Sequence, residues 1–203
     1  MTTPHKTKSQ VKAEKRGHRL PAPGDEDTAG AAAPGAIVSR RAADRLRGGH
    51  LWVYSSDVES VSLPEDGSAN PPALVSVADS RGILLGTALY SPASQIALRM
   101  VSTETIGEIE WLQLLEARLR RAIALRKPML DAANDACRLC FSEADELPGL
   151  VVDKYSNLAI LQLLARGLDS EAVREACVRV LREEIAPEGI LERPIRAFAS
   201  LRG

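Results

Sequence analysis

The chain is expected to fold as a mixed α+β protein, a small β-barrel followed by an α+β sandwich. Three observations carry that reading. Four or five short runs rich in β-branched and aromatic residues, joined by tight turns, occupy residues 36–102. A leucine-rich stretch of helical period follows over 109–130. Beyond it, three strand-like runs, a helix and a further short strand fill the chain to about residue 193. With 203 residues there is room for one large or two small domains, and 45% hydrophobic content supplies a core. Aromatic residues make up only 3%, so that core is built mostly from Leu, Val, Ile and Ala.

Residues 1–35 are expected to form a disordered tail, rich in Lys, Pro, Gly, Ala and Asp and without apolar periodicity. Its Lys6, Lys8, Lys12, Lys15, Arg16 and Arg19 form a basic arm that could touch phosphate or simply stay solvated. Ile37 and Val38 open a short strand. Ser39 is a suitable N-cap for a helix over Arg40–Arg47, which Gly48-Gly49 ends. LWVYS at 51–55 reads as a strand, and LPEDGSANPP at 63–72 as a loop. Residues 73–91 read as two strands around the turn Asp79-Ser80-Arg81-Gly82, and QIALRMVS at 95–102 as another.

In the second half, Ile109, Leu112, Leu115, Leu119, Ile123 and Leu130 recur at helical spacing, and Pro128 should end the helix. CRLCFSE at 137–143 reads as a strand. LVVDKYSNLAILQLL at 150–164 reads as a hairpin around Lys154-Tyr155-Ser156-Asn157. Asp169 or Ser170 caps a helix from Glu171 to about Glu184, with Ala172, Val173, Ala176, Val180 and Leu181 on one face. GILERP at 189–194 adds a short strand that Pro194 stops.

The net charge of −1 favours no class of partner, so local clusters matter. Arg40, Arg41, Arg45 and Arg47 crowd eight residues with only Asp44 to offset them nearby, and His50 and Trp52 follow. Guanidinium groups match phosphate geometry, and Trp52 or Tyr54 could stack on a base. The same residues also fit a solvated helix face with Trp52 in the core, and for Trp52 burial is the expectation. Arg118, Arg120, Arg121, Arg126 and Lys127 are expected to be exposed charges on their helix.

The three cysteines, Cys137, Cys140 and Cys177, are too few for a disulfide scaffold and suit a reducing compartment. Cys137-Arg-Leu-Cys140 lacks a second ligand pair for zinc, and on a strand its thiols point to opposite faces. A redox CxxC needs a helix N-terminus after it. Glu143 and Asp145 could meet a hard cation from an extended segment, but no further ligands complete such a site, and Asp145 fits a turn before Leu147-Pro148-Gly149. No Gly-rich dinucleotide or phosphate loop is present. No apolar run approaches the ~18 residues of a membrane span. The N-terminus carries no apolar segment behind its lysines, so the expected location is cytoplasmic.

Three stretches resemble one family. Arg45-Leu46-Arg47-Gly48-Gly49-His50-Leu51-Trp52-Val53-Tyr54-Ser55 is similar to its opening "GHPWVFS" region. Asp79-Ser80-Arg81-Gly82 through Gly86-Thr87-Ala88-Leu89-Tyr90-Ser91 resembles the hairpin that follows. Phe141 through Gln162 resembles "E-x-D-G-L-P-G-L-x-V-D-x-Y" and its apolar strand, and is the most specific of the three. The family is that of the class I S-adenosylmethionine-dependent methyltransferases that make 5-methylcytosine in large-subunit ribosomal RNA. Glu146 stands where its pattern has Gly, and Leu51 where it has Pro.

The resemblance implies a PUA-like RNA-binding domain over 36–105 and a central α+β domain over 106–193. It places the methyl-donor site and the catalytic residues in a third, Rossmann-type domain that does not fit within this chain. No catalytic residue, metal ligand or cofactor is therefore expected here, although the full-length family uses S-adenosylmethionine. Residues 194–203 depart from the family pattern, and a truncated or frameshifted product, or a gene-model fragment, is the expectation. The implied partner is large-subunit ribosomal RNA, with Arg40, Arg41, Arg45, Arg47 and His50 as the candidate phosphate contacts. The alternative is a stand-alone PUA-type binding or adaptor module without enzymatic activity.

Overall fold

The computed structural model describes residues 35–63 and 74–193. Apart from Gly35, which opens the first strand, the expected tail lies outside these residues, as do the greater part of the expected loop and the C-terminus expected to diverge. The first sheet has six strands: β1 (Gly35–Val38), β2 (Trp52–Tyr54), β3 (Val58–Ser62), β4 (Leu74–Asp79), β5 (Leu84–Tyr90) and β6 (Ile96–Ser102), in the order β2-β6-β5-β4-β1-β3. It curls into a half-barrel. β1 runs parallel to β4, and its neighbours are otherwise antiparallel.

Helix α1 (Arg40–Arg47) crosses between β1 and β2. The Ser39 side chain accepts the Ala42 N–H at 3.2 Å, and the Gly48 N–H closes the last turn onto the Asp44 carbonyl. Ala42 and Ala43 face inward and pack with Val38, Val53, Val75, Val77 and Leu98. β3 has no counterpart in the sequence reading. Its VESVS carries only two apolar residues, and its pairing with β1 at the sheet edge defines it. Gly86 shows why that position lacks a side chain: its φ is +134°, and a Cβ there would lie 2.1 Å from the Ser102 carbonyl oxygen.

The second unit is α2 (Glu108–Arg126), β7 (Ala136–Phe141), β8 (Leu150–Tyr155), β9 (Leu158–Leu163), α3 (Glu171–Ile185) and β10 (Gly189–Glu192). Its sheet runs β10-β9-β8-β7, antiparallel except for β9 and β10. α2 ends at the 3-10 turn that holds Pro128, and Ser170 caps α3 by accepting the Val173 N–H. The buried face of α2 is Trp111, Leu115, Leu119, Ala122 and Ile123. Ile109, expected on that face, is exposed. Positions 109 and 111 fall on opposite sides of a helix, and the larger Trp111 takes the core side. Leu89 of β5 and Val101 of β6 belong to this second core, so the half-barrel and the sandwich share apolar contacts.

Arg121 and Lys127 are exposed as expected, but three other arginines of α2 depart from expectation. Arg118 is largely buried and donates to the carbonyls of Val101 (2.9 Å) and Glu146 (2.8 Å). Arg126 donates to Asp145 at 2.9 Å and to the Ala122 carbonyl. Arg120 binds Glu183 and Glu184 of α3. Carboxylates and carbonyls far away in sequence recruit these cations, which the helical pattern alone leaves in solvent.

Candidate nucleic-acid interface

The four arginines of α1 separate into two kinds. Arg45 donates to Asp57 at 2.5 Å, and the same carboxylate accepts the Ser39 hydroxyl at 3.1 Å. Arg47 donates to Asp79 at 2.6 Å. Asp57 and Asp79 are both buried, so these guanidiniums answer interior charges from one side. The Arg45 hydrogen bond is the largest influence on Asp57 and holds its carboxyl below the usual range against the effect of burial. Burial would raise Asp79, but Arg47, the N–H groups of Ile83 and Arg81, and the Arg81 side chain bring it down to about 2. Arg40 and Arg41 stand out in solvent, 92% and 77% exposed, with only loose approaches to Asp44 and Asp57. The local excess of positive charge seen in the sequence is thus smaller in space, because Asp57 and Asp79 offset it.

His50 and Leu51 leave α1 exposed and lead into β2. Trp52 and Tyr54 lie on one face of that edge strand, both exposed, while Val53 between them is in the core. Trp52 is therefore not the buried residue that its apolar run suggests. Its indole Nε1 donates to Glu143 Oε1 at 2.9 Å. Glu143 comes from the turn after β7, and its other oxygen accepts the Ser142 hydroxyl. Arg45, His50, Leu51, Trp52, Tyr54 and Glu143 together line a cleft of about 370 Å³ between half-barrel and sandwich. Glu143 carries no sequence signal for this place, because only the packing of the two units brings it to β2.

The remaining acidic residues of that segment are structural. Asp145 is buried, paired with Arg126, and accepts the Phe141 N–H at 2.6 Å. Asp153 pairs with Arg138 at 2.7 and 3.1 Å. Glu146 occupies a left-handed conformation, φ +59°, and meets Arg118 and Arg121. Burial pushes the thiols of Cys140 and Cys177 up to about 12, so neither is a ready nucleophile at neutral pH. Among the described residues no helix is long and apolar enough to cross a membrane.

A half-barrel with a capped helix between its first strands, joined to a sandwich, defines the class of the first unit. Residues 36–103 match the model of the PUA-like domain. The relatives narrow this further. The chain is 39% identical over 123 residues to ribosomal RNA large subunit methyltransferase I of Alteromonas mediterranea, 60% of this chain and 30% of the relative. It is 34% identical over 130 residues to a ribosomal RNA large subunit methyltransferase of Deinococcus radiodurans, 62% of this chain and 31% of the relative. Over this shared region the chain is similar to part of the ribosomal RNA large subunit methyltransferases. It spans about a third of the length of the curated relatives it matches. Its fold also matches a solved structure described as a SAM-dependent methyltransferase from Streptococcus mutans, at TM-score 0.62 and 18% identity, over 78% of this chain and 40% of that one.

Proposed function

We propose that this chain is the RNA-gripping part of a large-subunit ribosomal RNA methyltransferase. The observation that carries the reading is the α1–β2 face. There, exposed cations and exposed rings sit side by side on a sheet that matches the PUA-like domain. Arg40, Arg41 and His50 reach for phosphates of a structured RNA, while Arg45 and Arg47, held by Asp57 and Asp79, fix the edge of that surface. In this reading residues 36–105 grip the RNA and residues 106–193 set them against the methyl-transferring part. The substrate atom is C5 of a cytosine in large-subunit RNA, the methyl donor is S-adenosylmethionine, and the work is done in the cytoplasm.

The donor's usual cradle is a Gly-rich turn from a parallel strand into a helix, with the helix N-terminus at the ligand. Among the described residues no such turn exists. Parallel pairing is confined to β1 with β4 and β9 with β10, and the chain from β9 to α3 passes through a 3-10 turn with one glycine. These residues do not fit the cofactor.

The test is binding of the full chain to large-subunit RNA fragments over a salt series. Affinity should fall steeply as salt rises, and replacing both Arg40 and Arg41 by Glu should flatten the slope by about 2 in log–log form. Binding that ignores salt and this double substitution would remove the α1 face from the account.

A further inference from the structure

The cleft between the two units carries more chemistry than a phosphate grip needs. Trp52 and Tyr54 leave large apolar rings in solvent on a strand whose other face is buried. A flat partner would return the stabilisation that this exposure forgoes. Glu143 faces them from the sandwich, fixed by the Trp52 indole and the Ser142 hydroxyl, one on each oxygen. A carboxylate has about four acceptor positions, so each oxygen retains one for a ligand. Arg99 is near enough for its charge to act on Glu143, which lessens the repulsion that a lone carboxylate would offer to RNA.

An acceptor pair fixed beside aromatic rings selects among bases. Guanine alone presents two adjacent donors, N1–H and N2–H, on its Watson–Crick edge. Adenine and cytosine present one donor beside an acceptor, and uracil one donor between two acceptors. A carboxylate repels each of those acceptors. We propose that this cleft binds one unpaired guanine of single-stranded RNA, its ring stacked on Trp52 or Tyr54 and its N1–H and N2–H donated to Glu143. The site is composite, because the rings belong to the PUA-like unit and the carboxylate to the sandwich. The inference rests on the RNA-binding reading above and adds the identity of one base.

The experiment is fluorescence anisotropy of the full chain with labelled hexauridine and with three variants that carry G, A or C at the third position, at low salt. The G hexamer should bind about tenfold more tightly than the others. Glu143→Gln keeps an acceptor for the Trp52 N–H but replaces the second with a donor. It should reduce the preference for G to less than threefold, with hexauridine binding no more weakly than before, because a negative charge facing its phosphates and carbonyls is removed. Trp52→Ala should weaken the G hexamer, and Trp52→Phe should restore part of that loss through stacking, with thermal melts confirming that each variant is folded. Equal binding of all four hexamers, or a preference for G that survives Glu143→Gln, would overturn the guanine site and leave the RNA grip standing. Failure of every hexamer and every ribosomal RNA fragment to bind would overturn the RNA-binding reading and the guanine site with it.

Discussion

The indole of Trp52 and the carboxylate of Glu143, 91 positions apart in sequence, meet at 2.9 Å and link the edge of the half-barrel to the turn after β7. Arg118 reinforces that junction, reaching Val101 in one unit and Glu146 in the other. Trp52 is half exposed and Trp111 is buried, so the two tryptophans of the chain are separable in fluorescence. Glu143→Ala should release the Trp52 indole, shift emission to the red and raise acrylamide quenching. Stability should fall by less than about 1 kcal/mol, because the bond is near solvent. An unchanged quenching profile would show that the bond does not hold the ring.

Asp145 and Arg126 form a pair on the buried side of the same turn. Removing the carboxylate with Asp145→Ala should cost about 3 kcal/mol in urea denaturation, and Arg126→Ala about 2 kcal/mol. The double variant should lose less than the sum. Strict additivity would mean that the two side chains do not act as a unit.

Much of the fold is legible in the sequence because its signals are local. Ser39 caps α1, Gly48 ends it, Asp79 to Gly82 turns the chain, and the apolar runs of β8 and β9 form the expected hairpin. The site is legible only in part. Asp57 lies 12 positions from Arg45, and Asp79 lies 32 from Arg47, so the arginine cluster looks unpaired until the sheet brings the carboxylates to it. Trp52 looks like a core residue because its neighbours are apolar, and only the edge position of β2 exposes it. Glu143 reaches the site by packing between units, for which short-range pattern has no marker.

Asp79 makes stability depend on acid. Its folded value of about 2 lies below the ordinary carboxyl value of 3.8, so the stabilisation is full above the unfolded value and is lost as pH falls from there toward 2. The contribution at neutral pH is on the order of 2 kcal/mol. Asp79→Asn should lower stability at pH 7 by that amount and make the loss between pH 5 and 2 shallower. Parallel profiles for the two proteins would contradict this.

Gly149 and Glu146 both have positive φ, yet they should respond differently to substitution. A Cβ on Gly149 would lie 2.6 Å from the Cβ of Ala165 and 2.9 Å from its backbone nitrogen, at φ +82°. Gly149→Ala should cost about 2–4 kcal/mol. Glu146→Gly removes left-handed strain of about 1 kcal/mol, but it gives up the ion pairs with Arg118 and Arg121. Its net effect should stay within about 1 kcal/mol, as read from denaturant midpoints.

Burial should govern thiol chemistry. In the native protein at pH 8, a maleimide should label Cys137 and spare Cys140 and Cys177 until denaturant is added. Rapid native labelling of Cys140 would indicate that β7 opens far more readily than its pairing implies.

The most direct measurement of the central claim is ultraviolet crosslinking of the full chain to a large-subunit RNA fragment, with the joined peptides read by mass spectrometry. RNA gripped by the α1–β2 face should crosslink within residues 50–54, at Trp52 or Tyr54, and Arg40→Glu with Arg41→Glu should diminish that product. Crosslinks confined to α2 or α3, with residues 50–54 untouched, would contradict the account.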